Sequence, residues 1–115
     1  MVLERYGDNF IREVYVAQKP SVSSEIASSC VLYAKWYLDR MDESWGDAGQ
    51  IQANSEIPVV GGVVLTYEGP GHVAVILGIE GSNLRIIEAN YAPGVVSTRS
   101  LGVDDYRIRG YFRPQ

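Results

Sequence analysis

The chain contains one cysteine, Cys30, and one histidine, His72, and both lie in local sequence that suits catalysis by a thiol. Cys30 follows a serine-rich connector at the start of a predicted helix, and His72 begins a predicted strand, His-Val-Ala-Val-Ile-Leu. A thiol attacks an amide carbonyl as the thiolate, and a helix N-terminus with an imidazole nearby lowers the pKa of a cysteine from about 8.5. The imidazole then serves as general acid for the leaving amine. The two residues form a catalytic pair if the fold brings them together.

A third polar group usually holds such an imidazole at one angle and in one tautomer. After a predicted turn at Gly81-Ser82-Asn83, the segment Leu84 to Tyr91 has the composition of a strand. Glu88 and Asn90 are two residues apart in this segment, so both side chains are expected to leave the same face. If this strand pairs as a hairpin with the strand that bears His72, Glu88 or Asn90 reaches the imidazole.

The order of these motifs resembles the CHAP family, the cysteine- and histidine-dependent amidohydrolases and peptidases. The resemblance rests on a cysteine at a helix start, Gly-His-Val-Ala-Val on a strand and Glu-x-Asn-Tyr on the next strand. It covers roughly Ser28 to the C-terminus, and it implies a papain-like α+β fold and cleavage of amide bonds in bacterial peptidoglycan. It also implies Cys30 as nucleophile and His72 as general base and acid. By the same resemblance, Glu88 orients the histidine and Asn90 is a polar support of the site.

Two local differences from the family's usual pattern affect what the resemblance implies. Ser29 stands where Gln or Asn usually precedes the nucleophile, so the backbone N–H of Cys30 is the one oxyanion donor that the sequence identifies. The acidic calcium loop of some members is missing, because Glu25 is the one acidic residue between Lys19 and Ser29. Calcium is therefore not predicted, and a single histidine without a CxxC motif argues against zinc. We expect no metal and no cofactor.

Composition and charge agree with one enzyme domain over residues 1–115. The chain is 46% hydrophobic, which is enough for a core at this length. Its 10 basic and 14 acidic residues give a net charge of −4 without a basic stripe, which argues against nucleic acid as a partner. No run approaches the ~18 apolar residues of a membrane span, and no signal peptide is recognisable. We therefore expect a protein that acts at the bacterial cell wall after delivery by a holin, a phage particle or another machine.

Helices followed by strands predict an α+β domain, in which N-terminal helices pack on a C-terminal antiparallel sheet. Apolar residues at three- and four-residue steps predict an amphipathic helix over residues 2–18. A second helix is predicted from about Ser29 to Met41. The alternative is an earlier cap at Ser23 or Ser24, which would put Cys30 nearly two turns inside the helix, where the helix dipole helps a thiolate less.

Residues 42–56 are polar and lack periodicity, so a loop with one helical turn is predicted. Trp45 in this loop either stacks against a sugar or peptide or pins the loop to the core. The turn Gly69-Pro70-Gly71 places His72 at the start of its strand. Small Ala74, on the same strand face as His72, is expected to leave room for the cysteine-bearing helix. A sheet of about five to six strands is predicted, with strands near 62–68, 72–80, 84–91, 94–99 and 107–113.

Alternative interpretations stay open at this point. Cys30 is also explained as a buried structural thiol, and Glu88 and Asn90 as the exposed face of a hairpin. The expected substrate is a peptidoglycan stem peptide or cross-bridge, cut by an endopeptidase or an N-acetylmuramoyl-L-alanine amidase activity. One alternative is a catalytically silent domain that binds cell wall or forms part of a phage particle. Another is an amidase toxin or a thiol hydrolase that acts on proteins. No role is assigned to Arg99 or to the other C-terminal arginines.

Overall fold

A computed structural model describes residues 2–5, 11–14 and 22–114 of the chain, with side chains from residue 22 onwards. Within these segments the chain forms an α+β fold of two short helices and a five-stranded antiparallel sheet, together with a separate two-stranded sheet. The elements are β1 (Val2–Arg5), β2 (Ile11–Val14), α1 (Ser24–Ala27), α2 (Cys30–Tyr37), a 3-10 turn (Ala48–Gln50), β3 (Val63–Thr66), β4 (His72–Glu80), β5 (Asn83–Ala89), β6 (Val96–Gly102) and β7 (Ile108–Phe112).

The larger sheet has the strand order β6-β5-β4-β3-β7, and every neighbouring pair is antiparallel. Its five strands lie at the five predicted places, with bounds that differ by a few residues, so the predicted antiparallel sheet is confirmed. The short turns after β3 and β4 join neighbours in the sheet, as short connections between antiparallel strands do.

The helix predicted for residues 2–18 is wrong, because Val2–Arg5 and Ile11–Val14 are paired antiparallel strands. The apolar spacing that predicts a helix competes with β-branched residues in both segments, and these favour strands. Gly7-Asp8-Asn9 lies between the two segments and has the composition of a turn. The remainder of that predicted helix lies outside the described residues.

Two serines begin the two helices. The hydroxyls of Ser23 and Ser29 each accept a hydrogen bond from the backbone N–H three residues later, at 3.3 and 3.1 Å. Such capping satisfies a donor that has no partner inside the helix. The predicted later start is confirmed, because Cys30 is the first residue of α2, and the earlier cap serves a separate helix. Helix α2 ends at Tyr37, short of the predicted end, and Asp39 then takes a left-handed φ of 58°.

The two faces of the larger sheet bury separate apolar clusters. Tyr33 and Ala34 of α2 share one cluster with Val73 and Val75 of β4. Ala74 belongs to the other cluster, which also contains Val64, Ile76, Leu84, Ile86, Leu101 and Tyr111. The expectation that Ala74 makes room for α2 is therefore wrong. Side chains alternate along a strand, and α2 lies against the other face of β4.

The loop between α2 and β3 contains the predicted helical turn, at Ala48–Gln50. The ring of Trp45 packs edge-on against Phe112, with 5.1 Å between ring centroids, so this tryptophan pins the loop to β7. Arg109, to which the sequence assigned no role, donates hydrogen bonds to the carbonyls of Ile51 and Ala48 at 2.8 and 2.9 Å. The loop is therefore fixed to the sheet at both points.

Two glycines allow this loop to touch the turn before β4. A Cβ on Gly49 would lie 2.4 Å from the carbonyl oxygen of Pro70, and a Cβ on Gly71 would lie 2.6 Å from the backbone of Gly49. Gly71 also has a φ of +123°, which side-chain-bearing residues rarely adopt. The contact joins backbone to backbone, and it sets the position of the next residue, His72.

We predict that Gly71→Ala destabilises the domain by about 2–5 kcal/mol, because it adds backbone strain and a steric clash. The matched control is Gly81→Ala. Gly81 has a φ of +59° with open space around its Cβ position, so strain alone should cost about 1 kcal/mol. Urea unfolding followed by circular dichroism measures both variants. Equal losses of stability in the two variants would contradict the prediction, because the close backbone contact at Gly71 would then add no steric cost.

Candidate active site

The structure brings Cys30 and His72 together at the point where α2 begins and β4 begins. Cys30 is half-buried, and the imidazole of His72 is buried. The thiol and the imidazole lie close enough to act on each other's pKa, and the backbone N–H groups of Val73 and Val31 act on the sulfur in the same way. The sulfur thus faces three donors, and donors stabilise a thiolate over a thiol.

These contacts act on the pKa of the Cys30 thiol in opposite directions. Burial is the largest single effect and raises the pKa. The hydrogen bonds from His72 and Val73 and the positive charge of the imidazolium lower it, and together they outweigh burial, so the pKa falls below its ordinary value. A lowered pKa increases the share of thiolate, the nucleophilic form of a cysteine.

The pKa of His72 moves the other way. Burial, again the largest single effect, lowers this pKa, but hydrogen bonds to Cys30 and Glu88 and the negative charges of both groups raise it to about 9. A lowered thiol pKa and a raised imidazole pKa together favour the thiolate and imidazolium pair near neutral pH. Each charge stabilises the other, so the two titrations belong to the pair.

Glu88 is 1% exposed and contacts the other side of the imidazole. Its Oε1 lies 2.7 Å from Nε2 of His72, so Nδ1 is the ring nitrogen that Glu88 does not occupy. The register of β5 against β4 places Ile87 opposite Val75, so Glu88 shares a sheet face with His72. The predicted hairpin contact between Glu88 and the imidazole is confirmed.

Asn90 does not continue the strand, and the expectation that it shares a strand face with Glu88 is wrong. Strand β5 ends at Ala89, and Asn90 has a φ of 63°. Asparagine tolerates this left-handed conformation, and its Oδ1 accepts a hydrogen bond from the N–H of Gly94 at 2.8 Å. The side chain therefore closes the turn that follows β5. Its role as a polar support of the site stays a prediction.

A cleft of about 520 Å³ opens over Cys30 and His72. Its walls are the start of α2, the loop residues 47–49, the turn 68–71 and the pair Asn90 and Tyr91. Among the described residues, no group of three or more His, Cys, Asp or Glu side chains is placed to hold a metal ion. In the same part of the chain, no helix is long and apolar enough to cross a membrane.

A family model described as the CHAP domain matches residues 21–90, which is more than half of the chain. The chain belongs to the CHAP family. The resemblance drawn from the sequence motifs is thereby confirmed, and the match includes Cys30, His72, Glu88 and Asn90. No curated protein and no solved structure matches the chain.

Beyond the matched range of this CHAP domain, Arg99 on β6 contacts the buried carboxylate of Glu88. Its Nε lies 2.8 Å from Oε2 of Glu88, and its Nη2 lies 3.2 Å from Oε1. The same guanidinium binds Glu68, with Nη2 2.6 Å from Oε1 and Nη1 3.3 Å from Oε2. The ring of Tyr91 covers the guanidinium at 4.1 Å and lies 5.7 Å from the ring of His72.

The sequence analysis missed Arg99 and Glu68, although one signal pointed to Arg99. A buried carboxylate needs a cation or several donors, and the sequence analysis named His72 as a partner of Glu88 without looking for a second one. The register of β6 places Arg99 opposite Ile86, two residues from Glu88 on the same face. That register was not available from the sequence, which predicted a strand that stopped at residue 99. Glu68 gave no comparable signal, because it follows β3 at the edge of a turn.

We predict that iodoacetamide alkylates Cys30 rapidly at pH 6.5 and that His72→Ala slows this reaction by about 10-fold. Without the imidazole, a thiol with a pKa of about 8.5 is about 1% thiolate at pH 6.5. The more basic thiolate is also more nucleophilic, which offsets about half of that loss on a logarithmic scale. Intact-protein mass spectrometry follows the reaction, and the single cysteine makes every adduct assignable. The urea-unfolded protein is the control. The prediction would be contradicted if the folded and unfolded proteins reacted at the same rate, or if the folded protein reacted more slowly.

Proposed function

We propose that this CHAP domain is a thiol-dependent hydrolase that cleaves an amide bond in bacterial peptidoglycan. The observation that carries the proposal is the imidazole of His72, which contacts Glu88 at 2.7 Å and lies beside Cys30 in one open cleft. Membership of the family supports it, since CHAP domains are typically cysteine- and histidine-dependent amidohydrolases. A cysteine at the start of a helix that packs against an antiparallel sheet is also consistent with a papain-like arrangement.

In the first half of the reaction, the Cys30 thiolate attacks the carbonyl carbon of the scissile amide. The backbone N–H of Cys30 has no partner within α2, because it belongs to the first turn, so it is free to donate to the developing oxyanion. The imidazolium of His72 gives its proton to the leaving nitrogen as the carbon–nitrogen bond breaks. The products are a thioester on Cys30, a released amine and a neutral His72.

In the second half, neutral His72 takes a proton from a water molecule, and the water oxygen attacks the thioester carbon. The carbon–sulfur bond breaks, the acid leaves, and the thiolate and imidazolium pair is restored. Glu88 keeps the ring oriented in both halves and stabilises the imidazolium. Asn90 supports the site indirectly in this scheme, because its side chain holds the turn that carries Tyr91 along the cleft wall.

The substrate we propose is a stem peptide or cross-bridge of the wall polymer. The cleft is open at the surface and contains Cys30 and His72 among its lining residues, so an extended peptide can approach the sulfur from solvent. An endopeptidase and an N-acetylmuramoyl-L-alanine amidase would use the same residues. The bond is therefore assigned by experiment, from the new termini of released fragments.

We predict that the wild-type protein releases soluble fragments from purified peptidoglycan and that Cys30→Ala releases none, because the nucleophile is lost while the fold is kept. Glu88→Gln should lower the release rate by about 100-fold or more, since the neutral amide no longer stabilises the imidazolium. Mass spectrometry of the soluble fraction measures release and gives the new termini. Circular dichroism of each variant controls for folding.

Three outcomes of this experiment count against the proposal. Full release by Cys30→Ala would end the thiol mechanism. Binding to sedimented wall without release, by a protein whose cysteine does not react with iodoacetamide, would favour a silent wall-binding domain. Cleavage or deamidation of a protein substrate, with no release from walls of several chemotypes, would favour a toxin or a protein-directed hydrolase.

A further inference from the structure

Arg99 joins two carboxylates on the face of the sheet that carries His72. One edge of its guanidinium meets Glu88, with contacts of 2.8 and 3.2 Å, and another meets Glu68, with contacts of 2.6 and 3.3 Å. The arginine side chain is 20% exposed, while that of Glu88 is completely buried. Bidentate contacts of this kind fix geometry as well as charge.

Glu88 needs a second cation if it is to serve His72. A buried carboxylate is ionised only when its charge is compensated. With His72 as its only partner, the buried carboxylate of Glu88 would be compensated on one oxygen alone. Arg99 stays charged at every relevant pH, and the two carboxylates raise its pKa further against the effect of burial. Its contact with Oε2 leaves Oε1 facing the imidazole.

Arg99 is itself held in place from the other side. The carboxylate of Glu68 accepts hydrogen bonds from the hydroxyl of Thr66 at 3.0 Å and from Arg107 at 3.4 Å, in addition to the two from Arg99. The ring of Tyr91 closes the remaining face of the guanidinium. Burial raises the pKa of Glu68, but the hydrogen bonds from Arg99 and Thr66 outweigh it and lower the pKa overall, so Glu68 is ionised where it meets Arg99.

We propose that Arg99 is a positioning residue of this site: it compensates the buried charge of Glu88 and keeps this carboxylate turned towards His72, and Glu68 holds Arg99 in place. The inference rests on the proposed function, because it assigns the residue that maintains the same catalytic pair. With Arg99 and Glu68 added, the site is a row of five groups of alternating charge. They are Cys30, His72, Glu88, Arg99 and Glu68.

Several charged and titratable groups face the residues that this proposal invokes. They are Cys30 from α2, His72 from β4, Glu88 from β5, Arg99 from β6, Tyr91 from the turn after β5, and Glu68, Asp105 and Arg107 from the connections around β3 and β7.

Two possible roles for Arg99 predict opposite effects on the pKa of His72. A cation that acts only through space lowers the pKa of the imidazole, so its removal would raise that pKa. A cation that positions Glu88 supports the imidazolium, so its removal would lower that pKa.

The test is an NMR titration of the imidazole in the folded protein, which is unambiguous because His72 is the only histidine. The wild-type pKa is expected at about 9. We expect Arg99→Met to lower the pKa of His72 by about one unit or more, a 10-fold change in the protonation equilibrium. Arg99→Lys keeps the charge and loses the planar fork, so it should lower the pKa by a smaller amount. Arg85→Met removes an exposed arginine from β5 and should leave the pKa unchanged.

A double variant shows whether Arg99 acts through Glu88. If it does, Arg99→Met no longer lowers the pKa of His72 once Glu88 has been replaced by Gln, and in that background the pKa stays the same or rises through the loss of a nearby cation. An unchanged or raised pKa in Arg99→Met would overturn the proposal. If Arg99→Met does not fold, Arg99→Lys decides, since a through-space role predicts no change in a variant that keeps its charge.

Activity measured on the same variants separates this inference from the proposed function. On the alkaline side of the pH profile, kcat/KM for Arg99→Met should fall at a lower pH than for the wild type, by the same shift as the pKa of His72. The titrations themselves need no substrate. A shifted pKa in a protein that releases nothing from peptidoglycan would count against the proposed function alone. Normal release with an unshifted pKa would count against the role of Arg99 alone.

Discussion

The site depends on one buried negative charge, the carboxylate of Glu88. An ionised group taken out of water costs several kcal/mol unless nearby charges and donors compensate it. Here the compensation comes from two cations, His72 on one oxygen and Arg99 mainly on the other. The imidazolium can then exist next to a half-buried thiol, and the thiol can exist as thiolate. The reactivity proposed for Cys30 is therefore determined by how well the fold pairs the charge of Glu88.

The strand order explains how that pairing is built. Strand β5 supplies Glu88, and its two neighbours supply the cations, His72 from β4 and Arg99 from β6. The registers on both sides of β5 place all three side chains on one face, close to the end where the cleft opens. The thiol comes from elsewhere in the chain, at the first turn of α2, which is capped by Ser29. A sheet thus carries the charges, and a helix start presents the nucleophile to them.

Local sequence predicted those parts of the site that local forces determine. The start of α2 follows from a serine cap, and the contact between His72 and Glu88 follows from a hairpin with a short turn. The face of α2 against the sheet was predicted wrongly through Ala74, since a strand buried on both faces gives no signal for which face a helix covers. The helix predicted over residues 2–18 was wrong for a related reason, because apolar spacing at three and four residues also fits two short paired strands. Arg99 was out of reach because its role depends on the register of β6, a long-range property.

The measurement that tests the account most directly is the ultraviolet absorbance of the Cys30 thiolate as a function of pH, in the folded protein and against Cys30→Ala as the blank. The pairing of Cys30 with His72 predicts that thiolate absorbance appears at a lower pH in the folded protein than in the urea-unfolded protein. It also predicts that unfolding in urea lowers the absorbance at any pH between the two midpoints. A thiolate that appears only above about pH 8, with the same midpoint in the folded and unfolded protein, would contradict the account, because Cys30 would then be an ordinary thiol.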